Sequence, residues 1–185
     1  NDNLFSSFSL TQFQTDYTNL LQWLKNVGYP MQNIVLVGIY FVDATKHGYN
    51  YTVAVQQNTV IQSLAAKFGC TFVPTIDLWT ATAATFTATG ASGQAVLTPS
   101  SMAGILPGMS IIGAGTAGAV ESGYTTVSSV NTSAGTITLS GNLSATASGS
   151  YTVSHLNPQD GVHPAPSGHL LITNRILSTL SGGLK

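Results

Sequence analysis

Charged residues are scarce in this chain. Lysine, arginine, aspartate and glutamate make up 6% of its 185 residues, against about a quarter in an ordinary soluble domain. Five cations and six anions leave a formal net charge of -1. A nucleic-acid footprint needs a basic patch that neutralises several phosphates, and five scattered cations do not build one. The same balance removes attraction to an acidic membrane surface. We therefore expect neither nucleic acid nor a membrane among the partners.

Cysteine and long apolar runs are also lacking. Cys70 is the only cysteine, which excludes an intrachain disulfide and a cysteine-based zinc site. No apolar run approaches the roughly 18–20 residues of a membrane-spanning helix. Four histidines without clustered carboxylates give no metal set, so we expect no metal and no cofactor. The remaining composition is neutral and rich in Gly, Thr, Ser and Ala, which favours an extracellular or virion-associated protein.

The first part of the chain predicts alternating helix and strand. Apolar residues at three- and four-residue spacing predict a helix that Ser9 or Thr11 can cap. They are Leu10, Phe13, Tyr17, Leu20, Leu21 and Leu24. The continuous apolar run 34–41 is typical of a strand buried on both faces of a parallel sheet. A second helix ends at Gly69, and the run 71–76 predicts another strand. This order implies a three-layer α/β fold with a parallel sheet.

The middle of the chain has a different composition and period. Residues 80–153 contain a single charged residue, Glu121. Short alternating or β-branched runs, separated by turn residues, predict an antiparallel sandwich or barrel of about five to seven strands. Such runs include 94–97, 109–112, 125–130 and 136–139. A disordered linker is the alternative. We expect 1–79 and 154–185 to form one core into which 80–153 is inserted.

A short segment before the final predicted helix carries the residues best suited to catalysis. Asp160 lies three residues before His163 in 160-DGVHP-164, and Pro166 suits the first position of the helix that follows. A carboxylate in a tight glycine-containing turn can hold an imidazole through its Nδ1 proton. The general base of a serine hydrolase requires this arrangement, which fixes the tautomer and stabilises the imidazolium. An exposed loop with an incidental Asp and His is the alternative.

This segment resembles the last motif of the SGNH (GDSL-type) hydrolases, D-x-x-H-P followed by a helix, throughout 160–172. The opening Asn1-Asp2 resembles the end of their G-x-N-D motif, whose asparagine donates to the oxyanion hole. The predicted elements of 1–79 also follow the family's order. The resemblance implies a flavodoxin-like, three-layer parallel-sheet core that is incomplete at its N-terminus. The inserted segment resembles small β-domains of phage tail and adhesion proteins.

The chain also departs from the family. The family's nucleophile lies in a Gly-Asp-Ser motif, and no aspartate here is followed by serine. The motif that carries the family's oxyanion glycine is missing too. The resemblance therefore implies the C-terminal part of such a hydrolase, with the serine supplied by an N-terminal segment or chain that carries Gly-Asp-Ser. On that ground the chain is expected to be neither stable nor active alone.

Two functions of different classes follow. The first is a serine ester hydrolase that acts on acetylated or otherwise esterified carbohydrate. His163 would be its general base, Asp160 the orienting carboxylate and Asn1 an oxyanion donor. The second is a non-catalytic virion or surface protein that attaches to a glycan through its β-domain. The ligand is a small ester in the first case and a glycan in the second.

The other histidines are weaker candidates. His47 lies in a polar, aromatic loop after the first predicted strand, where α/β proteins bind ligands, and its aromatic neighbours could line a cleft or simply pack. His155 and His169 flank the Asp160–His163 motif, and we expect His169 at the surface or at the start of the last helix.

Overall fold

The computed structural model describes residues 9–46, 49–116 and 123–183. They divide into two compact units, one drawn from 1–78 and 172–185 and the other from 79–171. We call the first the α/β unit and the second the barrel unit. The boundaries expected from the sequence, 1–79, 80–153 and 154–185, stay a prediction.

The helices begin and end at residues that the sequence marks. Helix α1 spans Leu10–Asn26, and at its start the Ser9 hydroxyl accepts a hydrogen bond from the backbone N–H of Gln12. Helix α2 spans Tyr51–Phe68 and ends at Gly69, whose φ of +74° favours glycine. The α/β core brings both helices together around the buried residues Leu21, Met31, Leu36, Val60, Ile61, Leu64 and Ala65. The last helix, α3, spans Pro166–Gly183 and begins at the predicted proline.

The expected flavodoxin-like, three-layer parallel-sheet core is wrong. The parallel sheet of the described residues has two strands, β1 (Val35–Val37) and β2 (Thr71–Val73). The apolar run 34–41 predicted a longer strand because hydrophobicity reports burial and not backbone pairing. Ile39, Tyr40 and Phe41, for example, are half-buried yet lie outside any strand. Strand β2 stops before Pro74, which has no N–H for a ladder.

Most of the described β-structure lies in the barrel unit, in a six-stranded antiparallel sheet with the order β5-β8-β3-β4-β7-β6. The strands β3 to β8 span Ala84–Gly90, Val96–Pro99, Ser110–Ile112, Val127–Asn131, Thr136–Leu139 and Ala147–Ser154. Strand β5 meets the residue directly before β6 through an antiparallel bridge between Ser110 and Thr126. Beside this bridge, the N–H of Val127 donates to the carbonyl of Met109 at 2.9 Å. The curled sheet therefore closes on itself and leaves β5 and β6 paired on both sides.

Alternation along the barrel strands separates an apolar interior from an exterior rich in hydroxyl groups. On β3, Phe86 and Ala88 are buried while Thr85, Thr87 and Thr89 are exposed. The interior is filled by Phe86, Ala88, Leu97, Ile105, Met109, Ile111, Val127, Ile137, Leu139, Leu143, Ala147, Tyr151 and Val153. This region therefore has its own hydrophobic core and is not a linker.

Candidate active site

The Asp160–His163 motif lies in a short loop of the barrel unit that closes on itself. An antiparallel bridge joins Leu156 to Pro164. Inside it, the N–H of Asn157 donates to the carbonyl of His163 at 2.7 Å, and the N–H of Gly161 donates to the carbonyl of Asn157 at 2.9 Å. Gly161 has a φ of +67°, which a side chain would disfavour. The loop geometry thus depends on glycine at this position.

Asp160 accepts hydrogen bonds on both carboxylate oxygens. Its Oδ1 accepts from the backbone N–H groups of Val162 at 2.7 Å and His163 at 2.8 Å. Its Oδ2 accepts from Asn157 Nδ2 at 3.0 Å and lies 2.9 Å from His163 Nδ1. Burial by itself would raise the pKa of Asp160, but the backbone N–H groups of Val162 and His163, and then the His163 side chain, lower the pKa below its usual value. Asp160 is therefore an ionised acceptor held by four donors.

His163 is held at one ring nitrogen and open at the other. A carboxylate oxygen can only accept, so the Nδ1 proton points at Asp160 and the neutral ring keeps its lone pair on Nε2. The His163 side chain is 64% exposed. Within the described ranges, its only side-chain hydrogen bond is the one to Asp160. The Nε2 lone pair is therefore available to take a proton from an incoming hydroxyl.

Tyr124 lies close enough to this loop to sense its charge. Burial, and then the charge of Asp160, raise the pKa of the Tyr124 phenol, so the hydroxyl stays protonated at neutral pH. Neither Tyr124 nor Asn157 was predicted from the sequence. Asn157 was detectable in principle because it lies three residues before Asp160, whereas Tyr124 is distant in sequence and carries no motif.

A second Ser–His pair flanks the loop. Ser167 Oγ is 2.9 Å from His155 Nδ1, and the two residues are only 5% and 7% exposed. Burial lowers the pKa of His155, and its ring lies 6.0 Å from that of Trp79. The carbonyl of His155 accepts from the N–H of Ala165 at 2.7 Å. This pair is closed to a substrate and instead anchors the two ends of the loop.

The remaining predicted site residues separate into three cases. Asn1 and His47 lie outside the described residues. His169 is exposed in the first turn of α3, in agreement with its expected surface position. In the α/β unit, the ring of Tyr51 lies 5.2 Å from that of Phe41, so this aromatic side chain packs against a neighbour.

Neither a metal centre nor a membrane helix is found in the part of the chain that the structure describes. No group of three or more His, Cys, Asp and Glu side chains among those residues could hold a metal ion. No helix described here is long and apolar enough to cross a membrane. Comparison of the chain with protein-family models, curated proteins and solved structures finds no match. Any function proposed for the chain therefore rests on the chemistry of the Asp160–His163 loop.

Proposed function

We propose that this chain supplies the general base and the orienting carboxylate of a serine ester hydrolase of the SGNH type. The observation that carries the proposal is the 2.9 Å contact of His163 Nδ1 with Asp160, on an exposed side chain whose Nε2 has no hydrogen-bond partner among the described residues. The proposal rests on this loop and not on the fold, because the parallel-sheet core implied by the resemblance is wrong.

Each group has a defined part in the reaction. His163 Nε2 takes the proton of a serine hydroxyl while the serine Oγ forms a bond to the ester carbonyl carbon. Asp160 fixes the ring and stabilises the imidazolium. When the carbon–oxygen bond to the leaving group breaks, Nε2 returns the proton to the departing alkoxide. Water then repeats the sequence on the acyl-serine. Asn1 is proposed to donate to the oxyanion.

The serine is proposed to come from another polypeptide segment or chain that carries Gly-Asp-Ser. Ser167 is the described serine that contacts a histidine ring, but it bonds His155 and is buried. Nε2 of His163 bonds to no serine of the described ranges. The proposed substrate is an esterified, most simply acetylated, carbohydrate, since the chain has little charge with which to attract an ionic substrate.

The experiment measures hydrolysis of p-nitrophenyl acetate by the chain together with its Gly-Asp-Ser polypeptide. His163→Ala should lower kcat by about 10³-fold or more with an unchanged circular dichroism spectrum, as expected for loss of a triad member. His169→Ala is the matched control, because it removes an exposed histidine outside the loop, and should change kcat less than about twofold. Equal activity of the two variants would refute the proposed role of His163.

A second candidate function, glycan attachment without catalysis, is favoured by the exterior of the barrel unit. A shallow cavity of about 680 Å³ there is lined by uncharged side chains that include Thr89, Gln94, Thr98 and Ser148. An adjoining cavity of about 350 Å³ shares Thr89, Thr98 and Ser148. Hydroxyl and amide groups of this kind can hydrogen-bond a neutral glycan. Calorimetric titration with neutral oligosaccharides tests this function. Two results together would favour it: oligosaccharide binding that Thr98→Val abolishes, and no ester hydrolysis by the chain in complex with a Gly-Asp-Ser polypeptide.

A further inference from the structure

One asparagine contacts three residues of the Asp160–His163 loop. Asn157 Nδ2 donates to Asp160 Oδ2 at 3.0 Å. The backbone N–H of Asn157 donates to the His163 carbonyl at 2.7 Å, and its carbonyl accepts from the N–H of Gly161 at 2.9 Å. The same residue therefore binds the carboxylate, the glycine of the turn and the backbone of the histidine.

The amide of Asn157 has one orientation that satisfies its neighbours. Its Oδ1 accepts from the backbone N–H of Gln159 at 3.0 Å, and a backbone N–H can only donate. Nδ2 is therefore the atom that faces Asp160, whose ionised carboxylate can only accept. Because both ends of the amide are engaged, the side chain is held in a single position.

Asn157 is also tied to a barrel strand through its neighbour in the chain. Leu156 is buried, and its carbonyl accepts a hydrogen bond from Ser110 Oγ at 2.7 Å. Ser110 is the first residue of β5. A residue that orients a site does so best when supporting contacts fix its own position, and Asn157 has such contacts on its backbone, its side chain and its neighbour.

The bond to Oδ2 matters because the carboxyl torsion of an aspartate has a broad minimum. The backbone N–H groups of Val162 and His163 bind Oδ1 of Asp160, which leaves Oδ2 to be directed by other donors. Asn157 Nδ2 binds Oδ2, and this is the oxygen that His163 Nδ1 contacts at 2.9 Å. Asn157 therefore sets the direction in which Oδ2 faces the ring.

His163 depends on this direction more than a buried histidine does. Its side chain is 64% exposed, so packing restrains the ring little and water competes for the Nδ1 proton. His155, by contrast, is buried and also contacts Ser167. The tautomer of a histidine is set by the hydrogen bond that one ring nitrogen makes, and for His163 that bond goes to Asp160 Oδ2.

We propose that Asn157 is the positioning residue of the Asp160–His163 pair: its Nδ2 holds Asp160 Oδ2 in the orientation that keeps the proton on His163 Nδ1. This tautomer leaves the lone pair on Nε2, where a general base needs it. Asn157 acts through Asp160 and does not touch the reacting atoms. Its effect on the tautomer rests on these contacts alone, whereas its effect on ester hydrolysis rests on the proposed function.

Two neutral substitutions separate the Nδ2 bond from the turn around it. Asn157→Ser keeps a side-chain oxygen that can accept from the N–H of Gln159, but this oxygen ends one bond short of the Nδ2 position. Asn157→Ala removes both groups. Gln159→Ala is the matched control, because it shortens an amide side chain of the same loop and keeps the backbone N–H that binds Asn157.

The first test measures the tautomer of His163 by nitrogen NMR in the 185-residue chain. At about pH 9, where an ordinary imidazole is neutral, the ratio of the Nδ1–H form to the Nε2–H form should fall about fivefold or more in both Asn157 variants. Gln159→Ala should leave this ratio within about twofold. An unchanged ratio in either folded Asn157 variant, or an equal fall in Gln159→Ala, would overturn the proposal.

Hydrogen exchange shows whether a changed ratio comes from the lost bond or from an opened loop. The amide of Gly161 binds the backbone carbonyl of Asn157, which both variants keep. Its protection should therefore change less than about twofold. If Asn157→Ser exposes the Gly161 amide while it shifts the ratio, Asn157 only maintains the fold of the loop and the positioning role is wrong.

Ester hydrolysis separates this proposal from the proposed function. With p-nitrophenyl acetate and the Gly-Asp-Ser polypeptide, Asn157→Ser should lower kcat by about fivefold or more and change KM less than about twofold. If His163→Ala is inactive while Asn157→Ser keeps both the tautomer ratio and kcat, the positioning role is wrong and the esterase proposal stands. If Asn157→Ser shifts the ratio while His163→Ala retains full activity, Asn157 orients the pair but His163 is not the base.

Discussion

The barrel unit and the α/β unit bury their apolar residues to different extents. Among the largest fully buried side chains, the α/β unit contributes Leu21, Val42, Gln57 and Val73, and the barrel unit contributes all the others. Conversely, most of the exposed large apolar side chains lie in the α/β unit, among them Leu20, Trp23, Val27 and Tyr29. A sheet that closes on itself has no unpaired edge, whereas a two-stranded parallel sheet has two edges whose backbone groups still need partners. The difference teaches that weak hydrophobic patterning, as in the Thr-rich barrel strands, still forms a complete core when the topology closes.

The largest expected effect tests the barrel core. Ile137 is fully buried, so Ile137→Ala should lower the free energy of unfolding by about 2–5 kcal/mol through lost contacts and a residual cavity. Leu177, 59% exposed on α3, gives the matched variant Leu177→Ala, which should change stability by less than about 0.5 kcal/mol. Urea unfolding measures both. Similar losses of unfolding free energy in the two variants would show that the barrel core is no more tightly packed than the exposed face of α3.

A second substitution tests whether the α/β unit is loosely packed throughout. A Cβ at Gly38 would clash with Asn58 Oδ1 and lie 3.3 Å from the Val73 carbonyl. Asn58 cannot easily yield, because its Nδ2 donates to the carbonyls of Ile39 and Ala54, each at 2.8 Å. Gly38→Ala should therefore cost about 1–3 kcal/mol by overpacking.

The control for this substitution is Gly141→Ala in the barrel unit. A Cβ there meets nothing within 4 Å, and the change should be nearly neutral in urea unfolding. If Gly38→Ala left the free energy of unfolding unchanged, the α/β unit would be able to rearrange even around this crowded glycine. That result would sharpen the contrast in packing between the two units.

The smallest expected effects concern acid stability. The pKa of Asp160 is lowered in the folded chain. Its stabilising contribution is therefore fully present above the unfolded value of about 3.9 and is lost as the pH falls through the folded-state pKa. Asp160→Asn should lower the free energy of unfolding at pH 7 by about 1–2 kcal/mol and flatten the decline of stability as the pH falls below about 4.

Asp77 in the α/β unit provides the comparison. The side-chain hydrogen bond from Arg175 lowers the pKa of Asp77, so the sign is the same, but its side chain is 62% exposed. Solvent screens such a pair, and Asp77→Asn should cost about 0–1 kcal/mol. Unfolding measured at pH 7 and at falling pH separates the two variants. A loss of stability on Asp77→Asn as large as that on Asp160→Asn would contradict the larger contribution expected from the hydrogen bonds of Asp160.

Local features of the fold were predictable because their causes are local. Ser9 starts α1 and Gly69 ends α2, since a capping hydroxyl and a left-handed glycine act on their own neighbours. Strands β3 and β8 were not among the predicted runs. Their Ala, Thr, Ser and Gly residues alternate only weakly between apolar and polar, so the sequence pattern does not mark them as strands. Their pairing with each other over seven residues stabilises them as strands instead.

Part of the candidate site was equally local. The Asp160–His163 contact spans three residues and is made by a glycine turn, so the sequence alone predicted it. The four-donor environment of Asp160 and the charge felt by Tyr124 depend on how the loop folds back, and no spacing rule indicates Tyr124.

The sequence by itself determined the helix ends, the β-rich middle and the Asp–His turn, because each depends on residues that are neighbours along the chain. The tertiary structure alone decided that the middle strands close through Ser110 and Thr126 and that the parallel sheet of the described residues stops at two strands. It also decided that Arg175 donates to the Pro74 carbonyl directly after β2. These outcomes depend on contacts between residues far apart in sequence, such as Arg175 with Pro74. Such contacts form because they lower the free energy of the whole fold, and no local pattern indicates them.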